Sequence, residues 1–560
     1  MIRHPYRKGG LMASIENNLC SVRGHFREEH YEISVSLPDS ASDSHRYTIV
    51  FQAGSEERLL PIPDSSGTGT EFSCQYPVAD LFFHVDKGAT VSVSVLDTSL
   101  LPASETDFHD SFSMPFPVAP MSYRKRRIRR AVGLLLLPAF TVHGLTALCG
   151  ITAKRPECAG KSGMRALIYH VNGMLRSFAG TGYSKRDRKI FALEGYYRKA
   201  CRSAQPDGIL LLSERSGPLG DNFDEIYPLL APSCRVRTHI PVPQIQSMTG
   251  KELRRYADEL AGAKLIVLNE FLPELNEFML RPESRLIQLW HACGAFKQFG
   301  YSHFGLPGGL SISSKSHRTY HYAYVSSDTL IPIYAEAFGI SRSCILPLGV
   351  PRTDCFYRPD YALDIRKRLW ARYPVLAPDA RNGQPEKPFT VLFAPTFRGH
   401  GIGDAYYPEE VVDYEELLSV LPANACLIVR HHPFVKQVPV SENPRILVLP
   451  EERINDLLFT TDVLITDYSS VVFEAAVLHI PMLFYTFDLA EYRSGRNFYF
   501  PMKRFAPGAL CTDWKDLLQQ LSKPESIAAC DPDFTSRFFL HQDGGSAERV
   551  AGHLKSLLND

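Results

Sequence analysis

Residues suited to phosphate chemistry sit where apolar runs of this sequence stop. In VLITDYSSVVFEAAVLHIP, Val463 to Pro481, a buried strand ends at Thr466 and a helix begins near Ser470, so Asp467, Ser469 and Ser470 fall in the turn between them. Serine at a helix start is ordinarily a cap that satisfies orphan amides. The same backbone N–H groups, with two hydroxyls added, also suit an anion. Glu474 follows one helical turn later, either as a surface acid near a helix N-terminus or as an acceptor for a sugar or polyol hydroxyl. CLIVRHHPF delivers Arg430, His431 and His432 at a second strand end, and FTVLFAPTFRGH places Thr396 and Arg398 at a third. Arginine offers a fork for phosphate oxygens, and a histidine can donate to the same group or protonate a departing oxygen. Three such ends in one region suggest a binding wall for a charged nucleotide.

An earlier run, LIQLWHACGAFKQFG, puts His291 directly after a strand, followed by Gly294 and Lys297. A histidine beside tryptophan is more often packed and satisfied than reactive. Facing a second domain, it is instead placed to take a proton from a hydroxyl, with Lys297 holding phosphate. In LPLGVPRTD, Arg352 either contacts phosphate or shapes the crossing between domains.

Two series of short apolar strands position these groups. The first runs from GILLL at Gly208 through KLIVL, RLIQLW and YAYV to ILPL, ending at Leu348; the second runs from FTVLFA through CLIV, RILVL and VLIT to PMLFY, ending at Tyr485. Uninterrupted apolar strands with helix between them predict parallel sheets covered on both faces, hence two doubly wound α/β domains in tandem. Ligands then belong beyond the carboxyl ends of the strands. Ahead of them, YEISVSL, RYTIVF and ATVSVSVL alternate with period two, predicting a small all-β sandwich. The expected organisation is a sandwich over 1–115, a basic and apolar segment over 116–160, and α/β domains over 161–375 and 376–560.

The chain has 560 residues, and its Lys plus Arg and Asp plus Glu both total 61, a balance that argues against a nucleic-acid partner. Twelve cysteines show no CxxC pair and no zinc spacing, as in a reduced cytosolic protein without a metal or disulfide framework. The run RKRRIRR, Arg124 to Arg130, precedes a stretch from Ala131 to Ala153 without Asp, Glu, Lys or Arg. That stretch is a poor membrane span, because it carries Pro138, His143 and several Gly and Thr. Two readings remain: a segment on the inner leaflet with its basic run on anionic headgroups, or a buried interdomain helix.

Taken in order, WHACGAFK, LGVPRTD, FAPTFR, RHHP and TDYSSVVFEAA resemble the motif series of the CDP-glycerol glycerophosphotransferase family, which includes teichoic acid primases and polymerases. The resemblance runs from about Ile209 to the C-terminus. It implies a GT-B-like pair of domains with an acceptor half, a donor half and a cleft between them. It further implies transfer of a polyol phosphate, with glycerol phosphate expected, from a CDP-polyol to a lipid-linked polyol-phosphate acceptor, releasing CMP, at the cytoplasmic face of a bacterial membrane; no DxD-like carboxylate pair follows the relevant strands, so neither metal nor cofactor is expected. By motif, His291 would be the general base, and His432 with Arg430 would bind donor phosphates and help CMP leave. Ser469 and Ser470 would hold the pyrophosphate, Glu474 would meet the nucleotide or its polyol, and Thr396, Arg398 and Asp467 would complete the donor site. Lys297 and Arg352 would add acceptor or phosphate contacts. The family often has a small polar residue after WHG where this chain has WHACG, and commonly Asp where this chain has Glu474. A nucleotide-sugar glycosyltransferase and a noncatalytic wall-synthesis scaffold are the competing readings.

Overall fold

The computed structural model describes strands between residues 13 and 115, and residues 184–559 except 214–221, 240–243, 279, 305–308, 311–313, 379–385, 400–402 and 438. The basic run and the uncharged stretch after it, and with them the membrane-proximal segment, lie outside the described residues.

Ile209–Leu212, Leu265–Leu268, Thr390–Phe393, Cys426–Val429, Val463–Thr466 and Met482–Tyr485 are buried at every position, as strands covered by helices on both faces must be. They form the centres of two six-stranded sheets in which every pairing is parallel. The first sheet runs in space Val236–His239, Ile209–Leu212, Leu265–Leu268, Arg285–Gln288, Tyr322–Tyr324, Ile345–Leu346. The second runs Ile446–Val448, Cys426–Val429, Thr390–Phe393, Val463–Thr466, Met482–Tyr485, Ala509–Cys511. The strand series read from sequence are all present. Val236–His239 and Ala509–Cys511 were missed because each is a short edge strand, paired on one side only, with no continuous apolar run to mark it.

Strand order reverses at one place in each sheet, and there the loops diverge to leave a crevice. In the second sheet that place is between Thr390–Phe393 and Val463–Thr466, whose registers pair Val391 with Val463 and Phe393 with Ile465. In the first it is between Ile209–Leu212 and Leu265–Leu268.

The domains exchange helices. Helix Ser546–Asn559, expected with the second domain, packs Val550, Ala551 and Leu554 on the first sheet against Ile209, Leu211 and Val267. Asp354 caps its start, accepting the N–H groups of Ser546 at 3.1 Å and Ala547 at 2.7 Å. Conversely, helix Pro359–Arg372 reaches the second domain through Arg368, which donates to Glu452 at 2.8 Å and Asp456 at 2.9 Å.

Residues 13–115 contain two four-stranded antiparallel sheets. One of them rests on helix Ile331–Phe338: Thr48 donates to the buried carboxylate of Glu336, and Glu57 takes both Nε and Nη2 of Arg342.

Candidate active site

At the switch point of the second sheet, Asp467 staples the two central strand ends together. Its Oδ1 accepts the N–H groups of Thr396 at 2.7 Å and Tyr468 at 2.5 Å, and its Oδ2 accepts Arg398 Nη1 at 2.8 Å. Arg398 also donates Nε and Nη2 to Asp488, at 2.6 and 2.9 Å, and lies against the rings of Tyr407, Tyr468, Phe487 and Tyr492. Burial works against its charge, but the two carboxylates outweigh that and hold its pKa above the ordinary arginine value. Arg398 and Asp467, nominated from sequence as donor contacts, are thus a buried framework whose charges are mutually satisfied. Thr396 Oγ1 differs: it is buried and has no hydrogen-bond partner among the described residues, a state that costs about 1–3 kcal/mol unless a ligand fills it.

Ser469 and Ser470 are half-buried at the start of helix Val471–Val477. Ser470 holds the cap position without a side-chain capping bond, and Ser469 Oγ accepts the Val471 N–H only at 3.4 Å. The ordinary capping role is therefore weakly used, and both hydroxyls remain at the crevice. Glu474 is no surface acid. It is 2 % exposed and forms an ion pair with Arg352 of the first domain, whose side chain also approaches Cys293 Sγ at 3.9 Å.

Along the strand end at Arg430, three neighbours part company. Arg430 donates Nε to the Glu452 carbonyl at 3.0 Å and Nη1 to the His431 carbonyl. His431 turns inward, with Nε2 3.0 Å from the Tyr414 hydroxyl. Burial first, then the Arg430 charge, pushes its pKa down to about 4. His432 stays half-buried between the rings of Phe397 and Phe434. Its Nδ1 accepts the Phe434 N–H at 3.2 Å, so the neutral ring carries its proton on Nε2 and can donate it.

His291 follows a strained turn. Trp290 has φ +65°, which a bulky residue adopts only when its surroundings over-determine it. Here they do: the Trp290 N–H is held by Gln288 Oε1 at 2.9 Å and its carbonyl by Asn222 Nδ2 at 2.7 Å. Asn222, wholly buried, also accepts the Arg352 N–H at 3.1 Å, so one amide ties together the loops carrying His291 and Arg352. His291 itself is half-buried, with its ring beside that of Trp290. Gly294 then meets the other domain: at φ +62° its Cα lies so close to Phe473 that an added Cβ would fall 2.2 Å from the ring. Next, Lys297 pairs with Phe498 in an antiparallel bridge, flanked by hydrogen bonds from Gln298 N–H to the Asn497 carbonyl (2.8 Å) and from Tyr499 N–H to the Phe296 carbonyl (2.9 Å). The Lys297 side chain is half-buried at this seam.

The fold thus brings the His291 loop, Arg352, Lys297 and the Ser469–Ser470 turn to one interdomain seam, and it withdraws Arg398 and Asp467 into the frame behind it. Of the supporting residues, Asp488 was legible as a polar residue just past strand Met482–Tyr485. Asn222 and Gln288 carried no such signal, since their role depends on contacts between distant loops. Among the described residues no cluster of His, Cys, Asp and Glu could hold a metal, and no helix is long and apolar enough to cross a membrane. A cavity of about 810 Å³ elsewhere on the second domain, lined by Glu409, Glu410, Asp413, Glu416, Tyr485 and Trp514, contains none of the candidate residues, and its acidic wall would repel a nucleotide.

Residues 196–555 match the family described as CDP-Glycerol:Poly(glycerophosphate) glycerophosphotransferase. The chain belongs to this family. It is accordingly a transferase, and the motif resemblance is borne out. Among curated relatives of this chain, Teichoic acid ribitol-phosphate polymerase TarK of Staphylococcus aureus is 37% identical over 357 residues, covering 62% of this chain and 68% of that one. Teichoic acid ribitol-phosphate polymerase TarL of the same organism is 39% identical over 300 residues, and there the chain spans about half of its relative's length, 52%. The solved structure of the Wall Teichoic Acid Polymerase TagF superposes with a TM-score of 0.55 at 20% identity, covering 72% of this chain and 99% of TagF. That likeness bears out the fold of paired parallel-sheet domains.

Proposed function

We propose that this transferase moves a polyol phosphate from a CDP-polyol to a hydroxyl of a lipid-linked or polymeric acceptor in teichoic acid or related wall-polymer synthesis, releasing CMP. The observation that carries this reading is the locked seam. The Gly294 contact with Phe473 and the Arg352–Glu474 pair hold the His291 loop of one domain against the serine turn of the other.

In this reading His291 takes the proton from the acceptor hydroxyl, whose oxygen attacks the β-phosphorus as the bond from that phosphorus to the bridging oxygen breaks and CMP departs. His432 Nε2–H donates to the diphosphate or to the departing oxygen. The hydroxyls of Ser469, Ser470 and Thr396 and the charges of Lys297 and Arg430 hold phosphate oxygens. Such transfer relies mainly on positioning and charge neutralisation, which these groups supply without a metal. Because Arg352 occupies Glu474, the pair acts as a clamp between domains, and Arg398 with Asp467 shapes the crevice from behind. The domain organisation read from sequence is kept for the body of each domain, apart from the exchanged helices Pro359–Arg372 and Ser546–Asn559, with the two antiparallel sheets as an N-terminal sandwich of accessory role. The run RKRRIRR favours peripheral attachment to an anionic membrane surface on the cytoplasmic face, where CDP-linked donors are made.

The family's description favours glycerol phosphate as the transferred unit, whereas the names of TarK and TarL favour ribitol phosphate. Incubation of the purified protein with CDP-glycerol and CDP-ribitol and a lipid-linked acceptor, followed by CMP release and product mass, decides between them. His291→Ala is expected to abolish turnover while leaving CDP binding intact. Full activity in that variant would remove the base from the mechanism.

A further inference from the structure

A diphosphate needs cations that are not already neutralised, and most of the arginines nominated from sequence fail that condition. Arg398 is held by Asp467 and Asp488 and Arg352 by Glu474, while Arg430, which is paired with no carboxylate among the described residues, gives two of its donors to main-chain carbonyls. Arg496 meets it. Among the described residues it has no carboxylate within ion-pair distance; its Nη2 donates to the Gly399 carbonyl at 2.6 Å, and Nη1 has only a long 3.4 Å contact with the Tyr492 hydroxyl. Its guanidinium carbon lies 4.6 Å from the centre of the Phe397 ring, and that ring packs against His432 with 4.7 Å between centroids. The next residue, Asn497, opens the bridge to Gln298 of the first domain, and His303 of that domain faces the Gly495 backbone and the charge of Arg496. Arg496 is half-buried, so its charge is only partly screened by water.

We propose that Arg496 is a phosphate-binding residue at the interdomain seam, taking an oxyanion beside the Phe397 ring that both it and His432 pack against. Stacking on Phe397 and Tyr492 holds the guanidinium plane, and the Gly399 carbonyl fixes one edge, so the remaining N–H groups are aimed before any ligand arrives. Resting on the transferase reading above, the assignment adds Arg496 to Lys297 and Arg430 as a charge that neutralises phosphate. The oxyanion comes either from the donor diphosphate or from a phosphodiester of the acceptor polymer.

The test measures binding of cytidine, CMP and CDP to the full chain by calorimetry, with steady-state kinetics against a poly(glycerol phosphate) oligomer. If the donor supplies the oxyanion, Arg496→Gln weakens CDP by about 10- to 100-fold, as expected for lost hydrogen bonds to a charged group, and leaves cytidine unchanged. Arg496→Lys, which keeps the charge but not the fork, falls between and carries the test should the glutamine variant melt early. If the acceptor supplies it, CDP affinity holds and the KM for the oligomer rises by a similar factor. Wild-type affinities and KM in both variants would overturn the assignment of Arg496 alone. A wild-type protein that bound neither CDP nor the oligomer would overturn the transferase reading, and this assignment with it.

Discussion

Replacing Gly294 by alanine tests the interdomain seam at its tightest point. The added Cβ would lie 2.2 Å from Phe473 Cε1 and 2.3 Å from Cζ. Carbon atoms prefer about 3.5 Å, so the loop or the ring must give by about 1.3 Å. The ring has nowhere to go: it is fully buried among Phe505, Phe534 and Phe538. Keeping the loop docked would therefore cost about 1–3 kcal/mol for overpacking, and a further ~1–2 kcal/mol for a side chain at φ +62°. The loop escapes this by lifting away, and a displacement of about 1 Å at a catalytic group costs on the order of 100-fold in rate. Wild type, Gly294→Ala, Phe473→Leu and the double variant would be compared by urea unfolding and by CMP release. The expected result is a rate loss on that scale for Gly294→Ala, with part of it recovered when Phe473→Leu makes room and a residue remaining from the backbone term. Strictly additive effects, or a Gly294→Ala enzyme as active as wild type, would mean that the His291 loop does not rest on this helix.

Arg398→Gln should destabilise the fold by about 3–5 kcal/mol, because it strands Asp467, 1 % exposed, and Asp488 without a cation. Denaturant midpoints check this, and an unchanged midpoint with a loss confined to CDP affinity would return Arg398 to the donor site. Arg352→Ala should likewise destabilise the fold by removing the cation paired with the buried Glu474, while Arg352→Met with Glu474→Leu recovers stability but not turnover; unfolding and rate measurements on the pair decide. Burial holds His317 down to about 3, and burial followed by the Arg430 charge holds His431 down to about 4, both below an ordinary value of 6.5. Their neutral forms belong to the fold, so the stability they contribute is complete above about pH 6.5 and is lost as pH falls toward these values. The loss is on the order of 2 kcal/mol per histidine between pH 6.5 and 5. Urea midpoints at pH 7 and 5 should differ, His431→Asn should shrink the difference, and equal midpoints in the wild type would refute the assignment.

Much of this protein was legible from local pattern. Fully buried strands must be apolar at every position, so ILLL, LIVL, TVLF, CLIV, VLIT and MLFY announced themselves, and with them the parallel sheets. The polar residues that end such strands fall at the sheet's carboxyl edge by construction, which is why His291, Thr396, Arg430, His432, Ser469 and Ser470 could be named from spacing alone. Edge strands such as Val236–His239 escaped notice because half-solvated backbone does not demand a continuous apolar run.

Partnership was decided only in three dimensions. Arg398 and Arg496 are alike as letters, yet Asp467 and Asp488 close around one while the other, among the described residues, has no carboxylate within ion-pair distance and meets ring faces, a carbonyl and a hydroxyl. Glu474 reads as a surface acid until the second domain folds against Arg352. Asn222 gains its role only because strand order sets its loop beside Trp290 and Arg352. Residue type and hydrophobic period are properties of neighbours along the chain. Which charge is neutralised, and which remains for a ligand, depends on distances between segments far apart in sequence, and only the packed domains fix those.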